Sequence, residues 1–200
     1  QVPILVIDNG SCDKTLEVIK RLNLNIKINN LKENLGWGNS ANYGINLVTT
    51  KYALLLNPDI KFVSEQPINN FEIKLKKYMN IGMASCLTLD ENNNPEDGRL
   101  TFYSNLIKKK VFKSNIPVDD ACSVINCVYG GAIIFFETKK FRLIDGFDKN
   151  CFLYLEEDDL RYRVSQKKLT NMIFPSIKAV HYGSSSSKIP NLTWWKNWHW

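Results

Sequence analysis

Residues 156–159 read Glu-Glu-Asp-Asp, and Arg161 and Arg163 follow them. Acids in a first helical turn complement the helix dipole, and Glu157–Arg161 and Asp159–Arg163 have i,i+4 spacing, so a solvated helix start is one reading. The preceding FLYL favours another. It implies a helix start anchored in the core or at a cleft wall, where one carboxylate is partly desolvated and raised in pKa towards base duty. Asn57-Pro58-Asp59 offers a second acid on a proline-fixed turn; it could cap that turn, or hold Mg²⁺ or Mn²⁺ together with phosphate oxygens. Asp8-Asn9-Gly10-Ser11 is either an Asx turn at a strand end or the wall of a nucleotide pocket, with Asp8 accepting from a base N–H or a ribose hydroxyl. His181 stands before Gly183 and four serines, a loop type whose N–H and hydroxyl donors suit phosphates; a structural histidine is the alternative.

The elements that must position these groups alternate. VPILVID and YALLLNPDI are β-branched or aliphatic runs that fit buried strands, and IGMASCLTL is a third. A helix over Leu16, Ile19 and Leu22, capped by Asp13, follows the first strand, and NIKIN gives a short strand. ENLGWGNSANYGINLVTT leads from a loop into a helix ending near Thr50, and another helix covers roughly residues 66–79. This β-α-β-α-β-α-β order predicts a largely parallel sheet with helices on both faces, whose ligands bind beyond the strands' carboxyl ends, where Asp8 and Asp59 fall. In the second half, a strand pair or strand-to-helix passage surrounds Gly130-Gly131, and TKKFRLI is a short helix. The acidic run opens a helix through about Lys167. TNMIF is a strand ended by Pro175, and KAVH is another.

Two hundred residues with 44% hydrophobic and 23% charged content suit one globular domain that buries roughly 70% of its unfolded surface. The expectation is a cytoplasmic protein, since no run nears the ~20 apolar residues of a membrane span and the first residues lack a signal-peptide plan. The net charge of +6 would suit nucleic acid or phosphorylated substrates. Nucleic-acid binding, which predicts steep salt dependence, has no motif here and only Lys108–Lys110 and Lys20/Arg21 as clusters. Cys122 and Cys127 have no second Cys/His pair to complete a zinc site.

Taken in order, VIDNGSCDKT, ENLGWGNSANYGI, LLLNPDI, YGGAIIF, GFDKNCFLYLEEDDLRYR and AVHYGSSSS resemble the family 2 inverting nucleotide-sugar glycosyltransferases, especially their rhamnosyltransferase-like branch. The resemblance implies an α/β, Rossmann-like nucleotide-diphosphosugar transferase fold of the GT-A type, a mostly parallel mixed sheet with helices on both faces. It implies transfer of a sugar, with rhamnose a candidate, from a dTDP- or UDP-sugar to a hydroxyl of a glycan or lipid-linked acceptor in bacterial polysaccharide synthesis. By the same resemblance, Asp8, Asn9, Ser11, Asn34, Gly36, Asn42 and Asn57 line the nucleotide side, and Gly130 and Gly131 leave room at the donor–acceptor junction. Asp59 and His181 meet a divalent cation, Mg²⁺ or Mn²⁺. Glu157 is the catalytic base, with Glu156 its supporting acid.

Two departures qualify this picture. Glu157 stands where the family pattern has Asp, and Asp59 sits in Asn-Pro-Asp rather than a DxD motif. The chain is expected to begin at the family's second strand, with its first strand and helix missing. Residues 1–188 then form the transferase domain and residues 189–200 a truncated tail. The four tryptophans of that tail suit either aromatic packing or peripheral contact with the inner face of a membrane. The rival functions are a non-catalytic nucleotide-sugar binding module or inactive fragment, and a metal-dependent phosphohydrolase, which would need several acids around one metal centre.

Overall fold

A computed structural model describes residues 2–94, 122–123, 131–153 and 155–182; Gly130 and residues 183–200 lie outside them. Strand β1 (Ile4–Asp8), helix α1 (Thr15–Arg21) and strand β2 (Ile26–Asn30) form a βαβ unit. Its strands pair in parallel from Ile4↔Ile26 to Asp8↔Asn30, so Asp8 stands at a carboxyl edge. Asp13 does not cap α1 as expected; its Oδ1 accepts the Thr15 N–H at 2.9 Å in a turn just before the helix.

Helix α2 (Trp37–Asn46), β3 (Tyr52–Leu56), β4 (Ile60–Phe62), α3 (Pro67–Lys77) and β5 (Ile81–Leu89) follow. After them come β6 (Cys122–Ser123), β7 (Ile133–Glu137), α4 (Thr138–Leu143), α5 (Glu156–Gln166) and β8 (Thr170–His181). The second sheet has the order β3-β7-β5-β8-β4, with β6 also on β8. It is mixed, as expected, but its parallel majority is not found among the described residues: only β5–β8 is parallel there. The reason lies in the connections. After Asn57-Pro58-Asp59 the chain continues as β4 and pairs antiparallel with β8, and β7 enters antiparallel between β3 and β5.

Alternation along β7 divides the core. Ile134 and Phe136 face a cluster with Ala41 and Ile45 of α2, Phe141 of α4, and Leu160 and Val164 of α5; Ile133 and Phe135 face a second with Phe71 of α3. Helices therefore cover both faces. Pro175 does not end a strand: β8 runs through it. The register against β5 jumps there from Cys86↔Phe174 to Leu87↔Lys178, and an irregularity of this kind tolerates a residue without an N–H.

An aromatic chain connects this core to the site. Phe136 stacks on Phe141 with centroids 4.4 Å apart, Phe141 meets Phe147 edge-on at 5.5 Å, and Phe147 meets Trp37 at 5.0 Å. Phe147 is 1% exposed. Phe147→Ala is expected to cost about 3–5 kcal/mol, read as a lower urea midpoint at unchanged slope; a shift below 1 kcal/mol would show that the chain does not support the loop.

Candidate active site

The loop after β1 is tied to the loop before α2. Asp8, 4% exposed, accepts the Ser11 N–H through Oδ2 at 3.3 Å. Asn9 accepts the Leu35 N–H at 2.9 Å and donates to Asn34 Oδ1 at 2.9 Å and to the Gly36 carbonyl at 3.2 Å. Asn34 Oδ1 also accepts the Gly36 N–H at 2.9 Å. Five of the residues expected on the nucleotide side thus come together: Asp8, Asn9, Ser11, Asn34 and Gly36. Gly36 has φ +84°, and a Cβ there would lie 2.3 Å from the Phe152 carbonyl oxygen. Gly36→Ala should therefore lose about 1–3 kcal/mol, because φ +84° with ψ 165° is a conformation open essentially to glycine alone, with the overlap adding to it. A thermal midpoint equal to wild type would contradict this geometry.

Asn42 is placed differently. Its Nδ2 donates to the Phe147 carbonyl and its Oδ1 accepts the Phe147 N–H, both at 2.9 Å. With both ends of the amide engaged by backbone, it clamps the loop before α5 onto α2 rather than lining a nucleotide pocket.

Four hydrogen bonds connect the remaining elements. The Trp37 N–H donates to the Phe152 carbonyl at 3.1 Å and Trp37 Nε1–H to Asn57 Oδ1 at 2.9 Å; the Asn57 N–H donates to the Ala132 carbonyl at 2.9 Å. Next to Ala132, the Gly131 N–H donates to Glu157 Oε1 at 3.0 Å. The starts of α2, β7 and α5 and the end of β3 therefore meet at one edge. Asp59 lies two residues beyond Asn57, and its Oδ1 is 3.5 Å from His181 Nε2. That oxygen is buried and has no hydrogen-bond partner.

A hard divalent cation fits this pair, since a carboxylate oxygen that accepts no hydrogen bond and an imidazole nitrogen leave most coordination positions for diphosphate and water. Among the described residues no group of three or more His, Cys, Asp or Glu converges. The phosphohydrolase reading needs such a cluster.

The acidic run divides by face, because successive helical residues point about 100° apart. Glu157 reaches Gly131, where a Cβ would lie only 2.4 Å from Glu157 Cγ. Glu156 points inward: it is 2% exposed, below Gly38 and Phe147, and its Oε2 has no partner. The expectation of a supporting acid in the cleft is thus corrected, since Glu156 is an interior acid. Of the FLYL run, Phe152 is 52% exposed and Leu155 is exposed as well, whereas Leu153 is half-buried and Tyr154 lies outside the described residues; the Phe152 carbonyl accepts the Trp37 N–H, and Leu155 is left-handed at φ 71°. Asp159 pairs with Arg163 at 2.5 Å, and Asp158 with Arg161 at 3.5 Å.

Desolvation, reinforced by the neighbouring Glu157 charge, raises Glu156 to about 7. Desolvation also raises Asp158 to about 6, against the opposing pull of Arg161. A raised native pKa means that the folded chain holds the proton more tightly than the unfolded one. The associated stability is full below the ordinary carboxylate range and is lost as pH rises towards 7. Glu156→Gln should flatten the fall in thermal midpoint between pH 5 and pH 7 relative to wild type. Parallel curves for the two proteins would refute the shift.

Sequence reasoning missed Trp37, whose indole fixes Asn57. The signal was a tryptophan between two glycines in LGWGN.

The family model "Glycosyl transferase family 2" matches residues 1–73. Rhamnosyltransferase WbbL of Escherichia coli (strain K12) is 25% identical, over 76% of this chain and 63% of that protein. Among solved structures, GalNAc-T7 with UDP, GalNAc and Mn²⁺ superposes with a TM-score of 0.67 at 14% identity, covering 90% of this chain and 37% of that one. A mannosyltransferase, PcManGT, from Pyrobaculum calidifontis in complex with GDP-Man and Mn²⁺ gives 0.65 at 13% identity, over 92% and 49%. S. aureus TarS 1-349 gives 0.63 at 14%, over 90% and 51%. The chain therefore spans less than two thirds of each of these relatives, and its fold is the GT-A glycosyltransferase fold.

Proposed function

We propose that this chain is the catalytic domain of an inverting glycosyltransferase that moves a sugar from a nucleoside diphosphate to a hydroxyl of a glycan or lipid-linked acceptor. Rhamnose and a dTDP- or UDP-linked donor are the first candidates, supported by the likeness to a rhamnosyltransferase and by neighbours solved with UDP or GDP-Man. One observation carries the reading: Glu157 is held by the Gly131 N–H at the same edge to which Trp37, Asn57 and Ala132 connect Asp59. Two carboxylates with separate surroundings can take separate duties. Glu157 removes the acceptor proton on the face opposite the leaving group. Asp59 and His181 would hold the divalent cation, which when bound neutralises charge on the diphosphate. The loops of Asp8, Asn9, Ser11, Asn34 and Gly36 receive the nucleoside.

The test is a thermal-shift screen of the full-length protein with UDP- and dTDP-sugars, with and without Mn²⁺ or Mg²⁺, followed by assay of sugar transfer. Metal-dependent stabilisation by a nucleotide sugar and subsequent transfer are expected. Phosphate release without any acceptor would favour a phosphohydrolase, and donor binding without turnover a binding module. Asp59→Asn is expected to weaken metal-dependent donor binding about tenfold or more; an unchanged metal requirement would remove Asp59 from the metal pair.

A further inference from the structure

Trp37 meets three separate segments at the edge of the site. Its backbone N–H donates to the Phe152 carbonyl at 3.1 Å, its ring meets Phe147 edge-on at 5.0 Å, and its Nε1–H donates to Asn57 Oδ1 at 2.9 Å. The residue before it, Gly36, is held by Asn9 and Asn34. Backbone and packing therefore place the indole independently of Asn57. In this pair the ring is the fixed member, and the amide is the one that turns to suit it.

An indole nitrogen donates and never accepts, so it has to meet the oxygen of the Asn57 amide. The NH₂ group is then directed away from Trp37. Asn57 is half-buried, and its Nδ2 has no hydrogen-bond partner among the described residues and is not closed off from solvent. The Asn57 backbone N–H is already taken by the Ala132 carbonyl at 2.9 Å, which fixes the residue at the end of β3, two residues before Asp59. An amide oxygen in that place would suit a cation, since hard cations take oxygen ligands. An NH₂ group suits the opposite kind of atom, the phosphate, hydroxyl and carbonyl oxygens in which a nucleoside diphosphate is rich.

We propose that Trp37 is a positioning residue for the nucleotide: by holding the Asn57 oxygen, it makes position 57 a hydrogen-bond donor to an oxygen of the nucleoside diphosphate and keeps it from being a ligand of the cation. The inference rests on the glycosyltransferase reading above and deepens it. The two ends of Asn-Pro-Asp then have different tasks. Asp59 acts through the cation, whereas Asn57 holds the nucleotide directly, with or without the cation. No proton is exchanged in the Asn57 contact.

The experiment measures the Kd of the full-length protein for UDP, dTDP and GDP by titration calorimetry, in Mn²⁺ and in EDTA, without any turnover. Asn57→Ala should weaken binding of the nucleoside diphosphate that wild type prefers about 3-fold to 10-fold, by the same factor in both buffers. Asp59→Asn should instead remove most of the gain that Mn²⁺ brings. Trp37→Phe keeps a ring against Phe147 but has no N–H, and should lose a comparable factor to Asn57→Ala, again in both buffers. The double variant Trp37→Phe/Asn57→Ala should bind no more weakly than Asn57→Ala, whereas a ring that only supported the fold would multiply the losses. If Trp37→Phe fails to fold, Asn57→Asp decides. It keeps an oxygen for the indole N–H but replaces the donor by a second acceptor, and should bind in EDTA at least as weakly as Asn57→Ala. A loss in Asn57→Ala confined to Mn²⁺ would make position 57 a cation ligand and overturn the proposal. Wild-type affinity in Trp37→Phe, or in Asn57→Asp in EDTA, would also overturn it, as would multiplied losses in the double variant or a wild type that binds in Mn²⁺ but not in EDTA. A wild type that binds none of the three nucleotides in either buffer would instead overturn the glycosyltransferase reading.

Discussion

Glu157→Gln is expected to lower turnover of the full-length protein by roughly 10²-fold to 10⁴-fold, the range a positioned general base contributes, while donor affinity stays near wild type. Glutamine retains an oxygen that can accept the Gly131 N–H, now 3.0 Å from Glu157 Oε1, so the start of α5 keeps its place. What is lost is the ability to receive a proton. The reading therefore predicts a fall in kcat with donor binding, measured by thermal shift, preserved. Turnover within a few fold of wild type would remove Glu157 from the mechanism. Glu157→Asp is the informative companion, because it restores the carboxylate but withdraws it by one methylene from Gly131. An activity between those of wild type and Glu157→Gln would assign the function to charge and reach together.

The elements were legible where hydrophobic pattern was strong. Helix α3, expected over roughly residues 66–79, spans Pro67–Lys77, and the acidic run opens α5 at Glu156. Strand direction was not legible, because a run such as IIFFE buries both of its faces whichever way it runs, so its antiparallel place between β3 and β5 has no local signature. Pro175 misled for a related reason. A proline predicts a strand end unless a register jump excuses its missing N–H, and that jump is set by the partner strand.

At the site, residue types that bond close to their own loops were readable, as with Asp8 to Ser11. Roles fixed by distant backbone were not. Asn42 reads as a pocket asparagine until Phe147, 105 residues away, takes both ends of its amide. Glu156 and Glu157 are chemically alike in sequence. Their separation into a buried acid and one that reaches Gly131 depends on what lies on each side of α5.

Gly131→Ala is expected to lower kcat about 10²-fold, the effect of misplacing a catalytic group by about 1 Å, while leaving the fold nearly intact. Gly131 does not have a left-handed backbone, so alanine brings no conformational strain. Its Cβ would meet a side chain: it would lie 2.4 Å from both Cγ and Oε1 of Glu157, and that flexible arm can swing away at little cost to stability. The swing breaks the Gly131 N–H contact and moves the carboxylate from the acceptor. Because the loss acts through Glu157, the two substitutions should not add. The double variant Gly131→Ala/Glu157→Gln should be no slower than Glu157→Gln alone, whereas independent roles would multiply the defects. Normal turnover in Gly131→Ala would mean that the carboxylate works from another position. Additive losses would mean that Gly131 serves the reaction by a route that does not pass through Glu157.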